Sequence, residues 1–162
     1  LFVFVFLMIT ATTVLSIHGN NLRQAKKQEQ SMEAYYLAYS GCEIGWQALL
    51  AEQGELKKKI KDEMGNSNLT SWGPQTFTID KNSSISRDYL DGGEIIVEIQ
   101  AEAPLLDNGK IDDKDIKIYI NSRGIYNGTG NKEIRDLCLW VKEGDLTFRQ
   151  YSRELYNSLI TP

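Results

Sequence analysis

Apolar and polar positions change their rhythm twice along this chain. From Leu1 to Ile17 the sequence is almost wholly apolar (LFVFVFLMITATTVLSI), its only polar residues being Thr10, Thr12, Thr13 and Ser16. From Ser31 to Gln53 the spacing is helical, with two apolar stripes in place of the usual one. Met32, Tyr35, Tyr36, Tyr39, Trp46, Leu49 and Leu50 form a stripe of large groups. Ala34, Leu37, Ala38, Gly41, Ile44, Gly45 and Ala48 form a stripe of small or aliphatic ones. Beyond Pro74 the period drops to two.

The alternating part predicts consecutive strands. Gln75–Asp80 is a short one. Glu94–Glu102 sets Ile95, Val97, Ile99 and Ala101 against Glu94, Glu98, Gln100 and Glu102. Lys114–Asn121 aligns Ile116, Ile118 and Ile120, and Lys132–Val141 aligns Leu137, Leu139 and Val141. Turn residues separate these runs: Asp91–Gly92–Gly93, Asp107–Asn108–Gly109 and Asn127–Gly128–Thr129–Gly130. Short connections imply an antiparallel meander, and its β-branched face needs a cover. The apolar helix before it is the natural cover, which gives an α+β fold. Gly54–Pro74 reads as helix end and loop. Gly144–Pro162 suits an amphipathic helix through Leu146, Gln150, Tyr151, Leu155 and Leu159.

The helix at 31–53 is too apolar all round for one core, since Glu43 is the only charge between Ala34 and Ala51. It predicts two burial partners, a sheet and a second body, with Gly41, Gly45 and Ala48 allowing close backbone approach. Continuous through residue 53, it would reach about 80 Å at about 1.5 Å per residue, with Gly19–Asn20–Asn21 as its weak point. The predicted organisation is an apolar half-stalk over 1–22, an amphipathic half-stalk over 23–61, and a β head over 62–162.

Average composition hides this division. With 41% hydrophobic and 25% charged residues the chain of 162 resembles an ordinary soluble domain. Yet no Asp, Glu, Lys or Arg precedes Arg23, so all 18 basic and 22 acidic residues lie in 23–162. A bilayer-spanning helix needs roughly 17–25 apolar residues. The opening stretch meets that length, which argues against a plain cytosolic enzyme. Arg23, Lys26 and Lys27 follow it, and the positive-inside rule alone places them in the cytoplasm; a removed basic leader would reverse that orientation.

Candidate chemistry is sparse. His18 is the only histidine and sits at the end of the apolar run, so a catalytic triad or imidazole metal site in the polar part has no histidine to use. No catalytic residues are expected. Cys42 and Cys138 lie far apart; they are either a disulfide of an exported chain or two buried free thiols, and a composition that builds a core without staples favours the thiols. Asp107, Asp112, Asp113 and Asp115 offer weak calcium candidates on one loop, although the spacing of a helix–loop–helix calcium site is absent and a solvated hairpin turn is favoured. The net charge is −4, and the densest basic run, Lys57–Lys59 with Lys61, is flanked by Glu55, Asp62 and Glu63. That is a solvated helix face, and no nucleic-acid partner is predicted.

The stretch from Gln24 to Leu50 resembles the type IV pilin and type II secretion pseudopilin superfamily, in particular its minor pilins. The matching residues are Ala34, Tyr35, Tyr36, Leu37, Ala38, Ser40, Gly41 and Glu43, an AYYLAxSGxE pattern. Ile116–Arg135 is similar to a strand-and-turn segment of the same proteins. Major pilins carry a Glu at the fifth mature position, whereas Val5 stands here and the first acid is Glu29. Either the start is trimmed, or the chain resembles members lacking that Glu, such as the minor pseudopilin at a filament tip. The usual mature start is Phe, and this chain begins at Leu1.

The resemblance implies a structural subunit held in a bacterial membrane before assembly and exposed at the cell surface afterwards. Its partners would be the major pilin, other minor pilins and, before assembly, membrane lipid. Phe2, Phe4, Phe6, Leu7, Ile9, Val14, Leu15 and Ile17 would form the filament or membrane interface. Tyr35, Tyr36, Leu37, Gly41, Ile44, Gly45, Trp46 and Ala48 would serve helix–sheet or subunit packing. A membrane-anchored binding or sensing module with no filament role is the competing expectation.

Overall fold

The computed structural model describes residues 2–51, 55–67, 69–80, 92–112, 115–128, 132–142 and 145–152. The chain is α+β. Helix α1 spans Phe2–Leu50, and its 49 residues extend about 74 Å. Its length follows from an absence of Pro and from good helix formers beyond Leu22. Helix α2 spans Glu55–Ser67. Five strands follow: β1 Ser71–Ile79, β2 Gly93–Glu102, β3 Lys117–Asn127, β4 Lys132–Lys142 and β5 Asp145–Ser152. They pair in chain order, β1-β2-β3-β4-β5, every pair antiparallel.

The core lies between α1 and one sheet face. Ile95, Val97, Ile99, Ile116, Ile118, Ile120, Leu137, Leu139 and Val141 supply the sheet side, each buried. Ala38, Cys42, Trp46 and Leu49 supply the helix side, and Ile60 and Met64 of α2 close one end. Burying a side chain of this size is worth about 1.5–3 kcal/mol. Helix α1 packs mainly on β3 and β4 and less on β2. The indole Nε1 of Trp72 donates to Glu63 Oε2 at 2.6 Å, tying α2 to β1.

Four expectations change. The region read as helix end and loop contains α2, whose Ile60 and Met64 are buried one turn apart. Strand β1 starts before Gln75: Gly73, at φ 94°, lies within it, and the register slips between Trp72 and Gln75. A bulge thus absorbs residues that look like a turn. Strand β3 runs on to Asn127. In the segment Gly144–Pro162, whose spacing would suit a helix, Asp145–Ser152 is a strand, because pairing with β4 from Cys138 to Lys142 overrides a weak helical period. Leu155 and Leu159 lie outside the described residues.

Candidate functional site

The two halves of α1 have different surroundings. Over residues 2–29 every described side chain is exposed. Phe2 is 90% exposed, Phe4 65%, Phe6 67% and Ile9 59%. Leu7, Val14, Leu15 and Ile17 are equally bare. Among the described residues this is the one helix long and apolar enough to cross a membrane, and none of its most apolar window is buried in the head. The threonine hydroxyls inside it are already satisfied. Thr10 donates to Phe6 O at 3.1 Å and Leu7 O at 3.0 Å. Thr12 donates to Met8 O at 3.0 Å and Ile9 O at 2.9 Å, and Thr13 to Ile9 O at 2.8 Å. A hydroxyl bonded to its own helix enters an apolar medium without leaving a donor unpaired.

The second half lies on the sheet through its small residues. Ala34, Ala38, Gly41, Cys42 and Gly45 are buried. A Cβ on Gly45 would stand 2.6 Å from Ile120 Cγ2, so the glycines set how closely the helix approaches β3. Gly41 and Gly45 thus serve the sheet, while Ala48 is exposed and does not pack on it. Trp46 and Leu49 join the core from the stripe of large groups, and Leu37 is partly buried against it. The remaining large groups face outward. Met32, Tyr35, Tyr36 and Ile44 are exposed apolar groups, with the rings of Tyr35 and Tyr36 edge to face at 6.0 Å.

Glu43 organises the junction of α1 with β5. Its carboxylate accepts the Tyr151 hydroxyl and lies 3.5 Å from Arg149 Nη1. Tyr39 stacks on Tyr151 at 5.4 Å, and the Arg149 guanidinium sits 5.7 Å from the Trp46 ring. Burial first, then the bond to Glu43, push the Tyr151 phenol well above its ordinary range. Sequence reading missed this cluster. Its signal was present, since a lone charge on an apolar helix needs a partner.

The two thiols sit on opposite sides of the sheet. Leu137 and Leu139 face the core with Cys42, so alternation turns Cys138 to the other face. Both are free and buried. The Cys42 thiol donates to Leu137 O at 3.6 Å and Ile120 O at 3.7 Å. Desolvation raises its pKa to about 12 and that of Cys138 to about 11.

The acidic loop does not gather its carboxylates. Asp107 is in a turn beside the Leu105–Ile111 bridge. Asp115 is held by Lys142 Nζ at 2.6 Å, and that bond lowers its carboxyl below the usual range. Asp112 spends its amide on Pro104 O at 2.9 Å. Asp113 lies outside the described residues. Among the described residues no group of three acidic, His or Cys side chains could hold a metal ion.

An apolar helix standing free of a head, and gripping it only with its second half, is compatible with a pilin-like architecture. No family model matches the chain, and no curated protein or solved structure does either.

Proposed function

We propose that the chain is a minor subunit of a filament of the type IV pilus or type II secretion kind, acting in initiation or at the tip. The observation that carries this reading is the division of α1. Residues 2–22 are apolar and touch nothing in the head, while residues 30–49 are fixed to the sheet. A bare apolar rod attached to a rigid head has two media open to it. It can sit in lipid as a monomer, and it can pack against other such rods in a filament core. The exposed Met32, Tyr35 and Tyr36 continue the apolar surface past the membrane level, where only protein can cover it.

The role is structural. The only histidine is on the apolar rod, and the strongest polar cluster, Glu43 with Tyr151 and Arg149, is closed upon itself. Cysteine substitutions at Ile9 and Val14 test the reading in cells. Oxidation should link them to the corresponding positions of a pilin, and deleting the gene should lower filament number or secretion. A chain that stays in the membrane fraction, never crosslinks to a pilin and leaves filaments and secretion normal is an anchored binding module and ends this proposal.

A further inference from the structure

A cleft opens between α1 and the start of β4, just past the apolar segment. Its lower part holds about 490 Å³ and is lined by Gln24, Lys27, Gln28, Ser31, Met32 and Arg135. It continues along the helix into a larger groove that shares Ser31, Met32 and Arg135 and reaches Tyr36. The lower cleft presents two cations, two amides, a hydroxyl and one thioether, and no carboxylate. The nearby acids compensate only in part, through a long Glu133–Arg135 ion pair. Glu29 and Glu33 line neither part. Glu133 comes no nearer than 4.0 Å to Arg135 Nη2, and Asp136 is bound to Arg123 by bonds of 2.8 and 3.2 Å.

Arg135 is fixed in place. Its Nε and Nη2 donate to Ser31 Oγ at 3.0 and 2.5 Å and its Nη1 to Ile134 O at 3.2 Å, which pins a head residue to the helix and leaves one N–H on each terminal nitrogen for a ligand. The height of the cleft decides its ligand. Leu22 is the last residue of the uncharged stretch; Lys27 follows about 8 Å further along the axis, and Ser31, which holds Arg135, about 14 Å. The headgroup layer on each side of a bilayer is roughly 5–8 Å deep, and a Lys side chain can bend back into it. The lower end of the cleft, with Gln24 and Lys27, stands at that height, and its donors match the oxygens of a phosphate diester.

We infer that this cleft binds the headgroup of an anionic phospholipid of the membrane that holds residues 2–22. The inference rests on the membrane-resident state of the reading above and adds a lipid preference to it. The phosphate oxygens take Lys27 and the amides of Gln24 and Gln28, and Arg135, higher along the helix, faces the outer oxygens of the headgroup. Each cation near an anionic surface contributes about fivefold in affinity.

The test uses the full chain in detergent, with lipid retention measured by native mass spectrometry. Phosphatidylglycerol should be retained over phosphatidylcholine by about 25-fold, and Lys27→Gln or Arg135→Gln should each lower that ratio about fivefold. The double substitution Lys58→Gln with Lys59→Gln, on α2, should leave it unchanged, and circular dichroism should show every variant folded. Equal retention of the two lipids overturns the inference. So does an undiminished ratio in Lys27→Gln and Arg135→Gln, and so does displacement of the lipid by excess inorganic phosphate. If the two variants lose filament assembly with the lipid ratio intact, the cleft belongs to a neighbouring subunit and the inference falls. The anchor itself is read separately. A chain that floats with vesicles of both lipids but prefers neither keeps its anchor and loses the headgroup site, whereas a chain that floats with neither loses both.

Discussion

Gly41 lies so close to Ser122 that a Cβ added to it would overlap the serine Oγ and stand 2.6 Å from Ile95 Cγ2. The helix is therefore seated on β2 and β3 at a separation only hydrogen can fill. Gly41→Ala should cost about 1–3 kcal/mol by overpacking. Gly124→Ala should cost at least as much, because its Cβ would run into the backbone of Ala34 and Ala38, which cannot rotate away. Gly19→Ala, with nothing within 4 Å, should leave the head's unfolding midpoint where it was. Thermal denaturation of the three variants in one detergent checks the order, and an unaffected Gly41→Ala would refute the seating.

The thiols give a chemical prediction. Cys42 and Cys138 titrate near 12 and 11, so neither carries appreciable thiolate at pH 8. A thiol reagent should label the folded chain very slowly and both residues promptly after denaturation. Rapid labelling of the native protein would contradict the burial.

The same groups fix the sign of the alkaline response. The folded-state pKa of each thiol is raised, so between about 9 and 12 the folded chain binds more protons than the unfolded one. Their contribution is complete below pH 9 and is lost as pH rises through 11 and 12. The raised Tyr151 phenol acts in the same direction. Denaturant midpoints should fall from pH 9 upward, and Cys42→Ala should flatten that fall. A midpoint that rises over this range would oppose the assignment.

Glu43→Gln removes a charged acceptor from Tyr151 and the ion-pair partner of Arg149. A charge-assisted hydrogen bond contributes about 1.5–3 kcal/mol, less where solvent reaches the pair. Loosening should be local. Amide exchange should quicken in β5, which α1 holds through this cluster, and stay slow in β2 and β3 at the sheet centre. Uniform acceleration across all strands would place Glu43 in the global core instead.

Val14→Lys places a charge within the bare apolar rod. At the centre of a spanning helix such a charge costs about 2.5–3.5 kcal/mol. Membrane retention should drop while the head keeps its fold, because no described residue before Gln30 is buried against it. Retention equal to that of the parent chain would remove the membrane assignment.

Some of this was legible from period alone. The inward face of β2, from Ile95 to Ala101, could be read from the alternation, as could Leu137, Leu139 and Val141 on β4. The bare rod was legible because no charge interrupts it before Arg23. What escaped depended on partners distant in sequence. Leu146, Gln150 and Tyr151 fit a helix until β4 supplies an edge, and Gly73 looks like a turn until Ile99 and Gln100 come alongside. The glycine stripe was visible, but its partner was not: only the close approach of Ser122 and Ile120 shows that the small groups face inward. The Lys27–Arg135 cleft joins residues from two elements, and no local pattern records that meeting.

The unbroken run of α1 from Phe2 to Leu50 has a mechanical meaning. The helix axis lies along its interface with the sheet, so a pull on the free end reaches the head as shear. Ala34, Ala38, Gly41, Gly45 and Leu49 are then loaded together and not peeled apart one at a time. A zipper opened from its end fails at the force of a single contact, whereas a lap joint must give way along its whole length. The close seating at Gly41 and Gly45 lets a thin head, five strands deep in one layer, stay on its rod under tension.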